Sequence, residues 1–137
     1  MQTFLPYPNF VESAKCLDWR RLGKQRVEAL QIHNVLSGKS KSKGWHNHPA
    51  VLMWKGHEGA LSEYLDCCIR EWVSRGYNNA MILTHESGPK PSWFGDPKFH
   101  ASHRSNLLRK DEIYYSKFGW TERANLPYIW PTQVTAH

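Results

Sequence analysis

The chain has few cysteines, and none of the three is placed for a disulfide framework or a zinc site. Cys67 and Cys68 are adjacent and cannot readily pair with each other, and no C-x-x-C spacing occurs. Three reduced, buried thiols are expected, with no metal and no other cofactor. Long apolar runs are also missing: nothing approaches the length of a membrane span, and the N-terminus lacks a signal-peptide pattern. The expectation is a soluble, cytoplasmic protein with no membrane partner. No G-x-S-x-G, P-loop or dinucleotide fingerprint occurs, which argues against serine-hydrolase, ATP-driven and nicotinamide chemistry. Acids are outnumbered, 12 Asp and Glu against 18 Lys and Arg, giving a formal net charge of +6 and a pI of about 9.3. Such a balance favours an anionic partner.

What is present is enough for a core. The 137 residues are 40% apolar and include seven Trp, six Tyr and five Phe, which suits one domain spanning 1–137. The basic charge is uneven. Lys15 to Lys43 holds eight Lys or Arg against two acids, and Lys98 to Lys110 holds four and no acid. The stretch from Lys55 to Arg75 is near neutral, with four acids and three bases. Two basic regions flanking a neutral one fit a protein with a single nucleic-acid face.

The pattern predicts an all-α fold of three main helices, with an N-terminal arm and an aromatic, Pro-rich C-terminal tail. Met1 to Phe10, punctuated by Pro6 and Pro8, reads as an extended arm laid on the body. The first helix is expected from about Glu12 to Leu36, stopping at Ser37-Gly38, with Gly23 weakening or bending its middle. In the second, Leu61, Tyr64, Leu65, Cys68, Ile69 and Trp72 recur at three and four residues, an amphipathic stripe. Pro49 fits the first turn of a short leading helix, and Gly76 fits the end of the main one. Gly88, Pro89, Pro91, Gly95 and Pro97 make Tyr77 to Phe99 a wrapped loop. The third helix is expected over His100 to Lys117, and the tail from Gly119 packs across the helices.

Three constellations carry candidate chemistry. On the first helix, Arg21, Gln25 and Glu28 fall at i, i+4 and i+7 and share a face, with Arg20 and Lys24 on the neighbouring ridge. Cations beside an amide and a carboxylate suit phosphate clamping plus proton transfer near a base. An exposed helix with Glu28 paired to Lys24 is the plainer alternative. On the third helix, Ser102 and Ser105 suit donation to phosphate, Arg104, Arg109 and Lys110 supply charge with His100 and His103 among them, and Asn106 suits a base edge or the backbone. Capping serines on a solvated basic turn are the alternative. Trp45-His46-Asn47-His48-Pro49 spaces two histidines for a metal but lacks a third ligand, and Trp45 suits either base stacking or core anchoring.

Several segments resemble the pyrimidine-dimer DNA glycosylase/AP lyase family. They are Leu22-Gly23-Lys24-Gln25-Arg26-Val27-Glu28, Glu71-Trp72-Val73-Ser74-Arg75-Gly76-Tyr77-Asn78, His103-Arg104-Ser105-Asn106-Leu107-Leu108-Arg109-Lys110 and Tyr114-Tyr115-Ser116-Lys117-Phe118-Gly119. The likeness is remote but runs in order over most of the chain. It implies a helical domain whose N-terminus passes between helices to a DNA-facing surface. It also implies that the chain's own α-amine attacks the sugar C1′, forming an imine from which the base leaves, with β-elimination able to cut the strand. The amine is that of Met1, since the bulky Gln2 normally prevents removal of the initiator. The assisting carboxylate is then Glu28, the only one on the Arg21–Gln25 face, with Asp18 the other nearby choice. In the same register Arg26 matches a DNA-contacting arginine, and Arg109 fits another with one residue of slack. The expected partner is double-stranded, damaged or modified DNA, bound by a monomer. The alternatives are a DNA-binding protein of this fold without chemistry, and an enzyme acting on nucleotides or modified bases.

Overall fold

The computed structural model describes residues 2–39 and 46–131. Among the described residues six helices follow in order: α1 (Phe10–Cys16), α2 (Trp19–Leu36), α3 (Pro49–Leu52), α4 (Glu58–Ser74), α5 (Pro97–Lys110) and α6 (Glu112–Tyr115), then a 3-10 turn over Ser116–Phe118. No strand occurs among the described residues. The fold is all-α, and α2, α4 and α5 are its three long helices.

Side-chain caps set most of the boundaries. The Asn9 side chain accepts from Glu12 N at 2.8 Å to start α1, and Asp96 accepts from Lys98 N at 3.0 Å to start α5, with Pro97 in its first turn. Two caps correct the expected helices. The run expected from Glu12 to Leu36 breaks at Leu17, which is extended (φ −72°, ψ 139°), because Asp18 caps a new helix through Arg21 N. The run expected over His100 to Lys117 starts earlier, at Pro97, and is interrupted at Asp111 (φ −156°, ψ 80°), whose side chain accepts from Tyr114 N. Both breaks follow from the same chemistry: a short carboxylate competes for helical N–H groups. The second helix, its Pro49 leader and the Gly76 stop lie where the sequence put them, and residues 77–96 form no regular element.

The centre of the protein is aromatic. Trp54, Tyr64, Phe99 and Tyr115 are fully buried beside Leu22, Ile32, Leu61 and Leu65, each aliphatic side chain stabilising the fold by roughly 1.5–3 kcal/mol. Helix α4 is the central strut, contacting both α1 and α2. Gly23 leaves room for the Trp72 ring of α4, since a Cβ there would lie 3.0 Å from it. The glycine serves close approach, and α2 runs unbroken through it. The loop after α4 folds back over that helix: Asp66 accepts from Thr84 N (2.8 Å), Thr84 Oγ1 (3.0 Å) and His85 N (2.7 Å). Cys16 and Cys68 are buried, Cys67 is half-buried, and all three are free thiols. Burial pushes the Cys16 thiol up to about 12, so it is inert at neutral pH. No described helix is long and apolar enough to cross a membrane.

Candidate active site

The site begins with the arm. Thr3, Phe4, Leu5 and Pro6 are buried, yet the arm belongs to no sheet, so its backbone polar groups must find partners elsewhere. Side chains supply them. Gln25 of α2 donates through Nε2 to Gln2 O and accepts from Phe4 N through Oε1, both at 2.8 Å. Tyr128 donates to Thr3 O and Tyr64 to Phe4 O. His103 Nδ1 accepts from Leu5 N at 2.8 Å, while His100 Nδ1 lies 2.7 Å from Leu5 O. Gly95 N donates to His100 Nε2, which leaves Nδ1 as the protonated nitrogen that donates to Leu5 O. Arg104 donates to Pro6 O at 2.7 Å, and Ser13 closes the row by bonding both Tyr7 N and Tyr7 O. Every carbonyl from Gln2 to Tyr7 is therefore held by a side chain.

This row delivers the start of the chain to α2. The Gln2 backbone N–H donates to Glu28 Oε1 at 3.1 Å. Glu28 borders a cleft of about 650 Å³ whose walls include Arg20, Arg21 and Lys24 of α2, Lys110 of α5, Tyr114 of α6 and Gln2. Arg20, Lys24 and Glu28 stand four residues apart, so they form one ridge along the helix. Arg20, Lys24 and Lys110 are exposed. Arg21 is half-buried, its Nη1 3.1 Å from Asp18 Oδ1. Tyr115 also donates to Asp18 Oδ1, and Asp18 N lies 3.1 Å from the same hydroxyl. Burial alone would raise the Asp18 carboxyl, but the Tyr115 and Arg21 bonds hold it below the ordinary carboxylate value. Asp18 is thus an N-cap and an arginine anchor.

The structure divides the residues singled out from the sequence. Arg20, Arg21, Lys24, Glu28 and Lys110 come together at the cleft. Gln25 does not share their face: it is fully buried, turned inward onto the arm. Arg26 stacks on Trp72, with its guanidinium carbon 4.3 Å from the ring centroid, and donates to Asn79 Oδ1 at 2.7 Å, holding the loop after α4. On α5, His100, His103, Ser105 and Asn106 are buried. Burial lowers both histidines below the ordinary 6.5, His103 the further, so they are neutral. Ser105 donates to Arg123 O and accepts from Leu126 N, and Asn106 Oδ1 accepts from Arg109. Arg109 donates to Ala124 O at 3.1 Å, and Arg104 pairs with Glu122 at 2.9 Å. His100, His103, Arg104, Ser105 and Arg109 of α5 grip the arm and the tail, whereas Lys98 and Lys110 are exposed. Met1 and Trp45 lie outside the described residues. His48 caps α3, its Nδ1 accepting from Ala50 N at 3.0 Å, and His46 is exposed. Among the described residues no group of three His, Cys, Asp or Glu is placed to hold a metal.

Sequence reasoning missed Gln2, Tyr114 and Trp19 as walls of the cleft. For Trp19 a signal existed, an aromatic set among Asp18, Arg20 and Arg21, where a core residue is out of place. For Gln2 and Tyr114 only the fold reveals the role.

No curated protein and no solved structure matches the chain. Residues 1–84 match the family model for pyrimidine dimer DNA glycosylase, a span that includes the arm, α2, α4 and Glu28. With that match covering most of the chain, the protein belongs to the pyrimidine dimer DNA glycosylase family.

Proposed function

We propose that the protein excises a damaged pyrimidine from duplex DNA through an imine formed by the α-amine of residue 1, with Glu28 as the proton-transfer group. The observation that carries this reading is the bond from Gln2 N to Glu28 Oε1 at the foot of the cationic cleft. One residue spans only about 3.8 Å between α-carbons, so the nitrogen that bonds Glu28 is one peptide unit along the chain from the proposed nucleophile.

The chemistry suits an α-amine. Its ordinary pKa, roughly 7.7–8.0, leaves a useful neutral fraction near pH 7, unlike a lysine. The neutral amine attacks C1′, the C1′–base bond breaks, and the base leaves the sugar with the bonding electron pair and takes a proton from water. The nitrogen now bound to C1′ gives one proton to the Glu28 carboxylate. That proton then goes to O4′ as the sugar opens and the imine forms. Glu28, a carboxylate again after that transfer, takes a C2′ proton from the imine, and the C3′–O bond breaks with its electron pair leaving on the 3′ phosphate, which is the AP-lyase step. The cations of Arg20, Arg21, Lys24 and Lys110 hold the flanking phosphates, and the kinked duplex presents the lesion sugar to the cleft.

Borohydride reduction in the presence of a duplex with an abasic site tests the mechanism. A covalent protein–DNA adduct is expected, mapping to residue 1. An adduct on an internal lysine overturns the nucleophile assignment. Salt-sensitive binding with no adduct supports instead a DNA-binding protein without lyase chemistry.

A further inference from the structure

Of the described tryptophans, Trp19 alone is exposed, with 53% of its surface open. The others have structural work. Trp54 donates to Thr3 Oγ1, Trp93 to Met53 O, Trp72 to Asn78 O and Trp120 to Tyr7 Oη, and Trp130 packs on Tyr128 with ring centroids 4.4 Å apart. The Trp19 indole N–H has no acceptor among the described residues. Its backbone position is nonetheless firm. It is the first residue of α2, directly after the Asp18 cap that Tyr115 and Arg21 both grip.

Its position is not arbitrary with respect to the cleft. Trp19 lines the active-site cleft and also a second cleft of about 470 Å³ on the other flank of α2, and Arg20, Lys24 and Glu28 line both. The ring therefore stands on the ridge between two openings. Arg20 lies over it, with the guanidinium carbon 5.3 Å from the centroid. An open indole bracketed by cations matches a base beside its own phosphates: the ring takes an aromatic face and the cations take the backbone.

We infer that Trp19 is a specificity-determining residue that stacks on a base face laid bare where the damaged duplex is kinked, while Arg20 and Lys24 hold the phosphates on either side. This rests on the glycosylase reading above. An intact duplex offers no such face unless its own stacking is first broken, so the contact favours damaged over undamaged DNA instead of strengthening both.

The test compares wild type, W19A and W19F on two duplexes that differ only by one cyclobutane thymine dimer, at fixed salt. W19A is expected to bind the dimer duplex about tenfold more weakly, with the undamaged duplex changed by less than about twofold. W19F is expected to recover most of the preference, because it keeps an aromatic face. Part of the tryptophan quenching produced by the dimer duplex should vanish in W19F. Thermal unfolding of both variants is expected to match wild type, the side chain being exposed. An unchanged dimer preference in W19A, or equal weakening on both duplexes, overturns the stacking role while wild-type excision leaves the glycosylase reading standing. A wild type that neither discriminates nor excises overturns both.

Discussion

Helix α2 turns Arg20, Lys24 and Glu28 toward an open cleft, whereas α5 turns His100, His103, Ser105 and Asn106 inward onto the arm and the tail. The two segments are alike in composition, basic and rich in hydrogen-bonding side chains. What separates them is what lies alongside. A buried, strandless stretch of backbone runs past α5 and past the Gln25 side of α2, and an unpaired buried amide or carbonyl costs about 1–3 kcal/mol. Polar side chains facing that stretch are committed to it. Those facing away stay available for phosphate.

The division makes opposite expectations for the two helices. The largest effect belongs to Glu28→Gln, which keeps an oxygen for Gln2 N–H but cannot take a proton. Excision of a pyrimidine dimer is expected to fall by about 10²–10⁴, with the thermal midpoint nearly unchanged. A variant retaining more than a tenth of wild-type excision would move the acid/base role elsewhere.

Next comes His103→Ala, which leaves Leu5 N–H buried without its acceptor and opens a cavity. A loss of about 3 kcal/mol is expected in denaturant titration, against less than about 0.5 kcal/mol for Arg20→Ala. The histidines also set a pH dependence. Both are held below 6.5 in the fold by burial, so the unfolded chain binds more protons once the pH drops past that value. Stability is therefore full above about 6.5 and falls as the pH descends from there toward 4.5, before the carboxylates contribute. His103→Asn, whose amide oxygen can still accept from Leu5 N, is expected to flatten that slope. An unchanged slope would assign the acid sensitivity to another group.

The smallest effect is that of Lys24→Ala or Lys110→Ala. Each is expected to weaken duplex binding modestly and to reduce the slope of log K against log salt by about 0.9, with no change in unfolding. A shift in thermal midpoint without a change in salt slope would place that lysine on the structural side of the divide.

Some of this was open to reading from the residues alone. The Leu61–Trp72 stripe gave α4 because its contacts repeat every turn, and the cationic ridge of Arg20 and Lys24 showed for the same reason. The breaks at Asp18 and Asp111 were not visible, since one capping carboxylate interrupts a helix without disturbing the apolar period around it. The inward turn of Gln25, His100 and His103 was not visible either. Their partners lie 21 to 98 residues away along the chain, and no local pattern records such pairings. Gly23 looked like a weak point in α2, yet it marks where Trp72 needs the room.

The bond from Tyr128 to the carbonyl of Thr3 joins residues 125 apart. Translation proceeds at about 5–20 residues per second, so Thr3 waits on the order of 6–25 s for the tyrosine that completes its cradle. The arm is thus made well before the partner that completes its hydrogen-bond set, and the cleft at its end takes its final form only after Tyr128 has joined the fold.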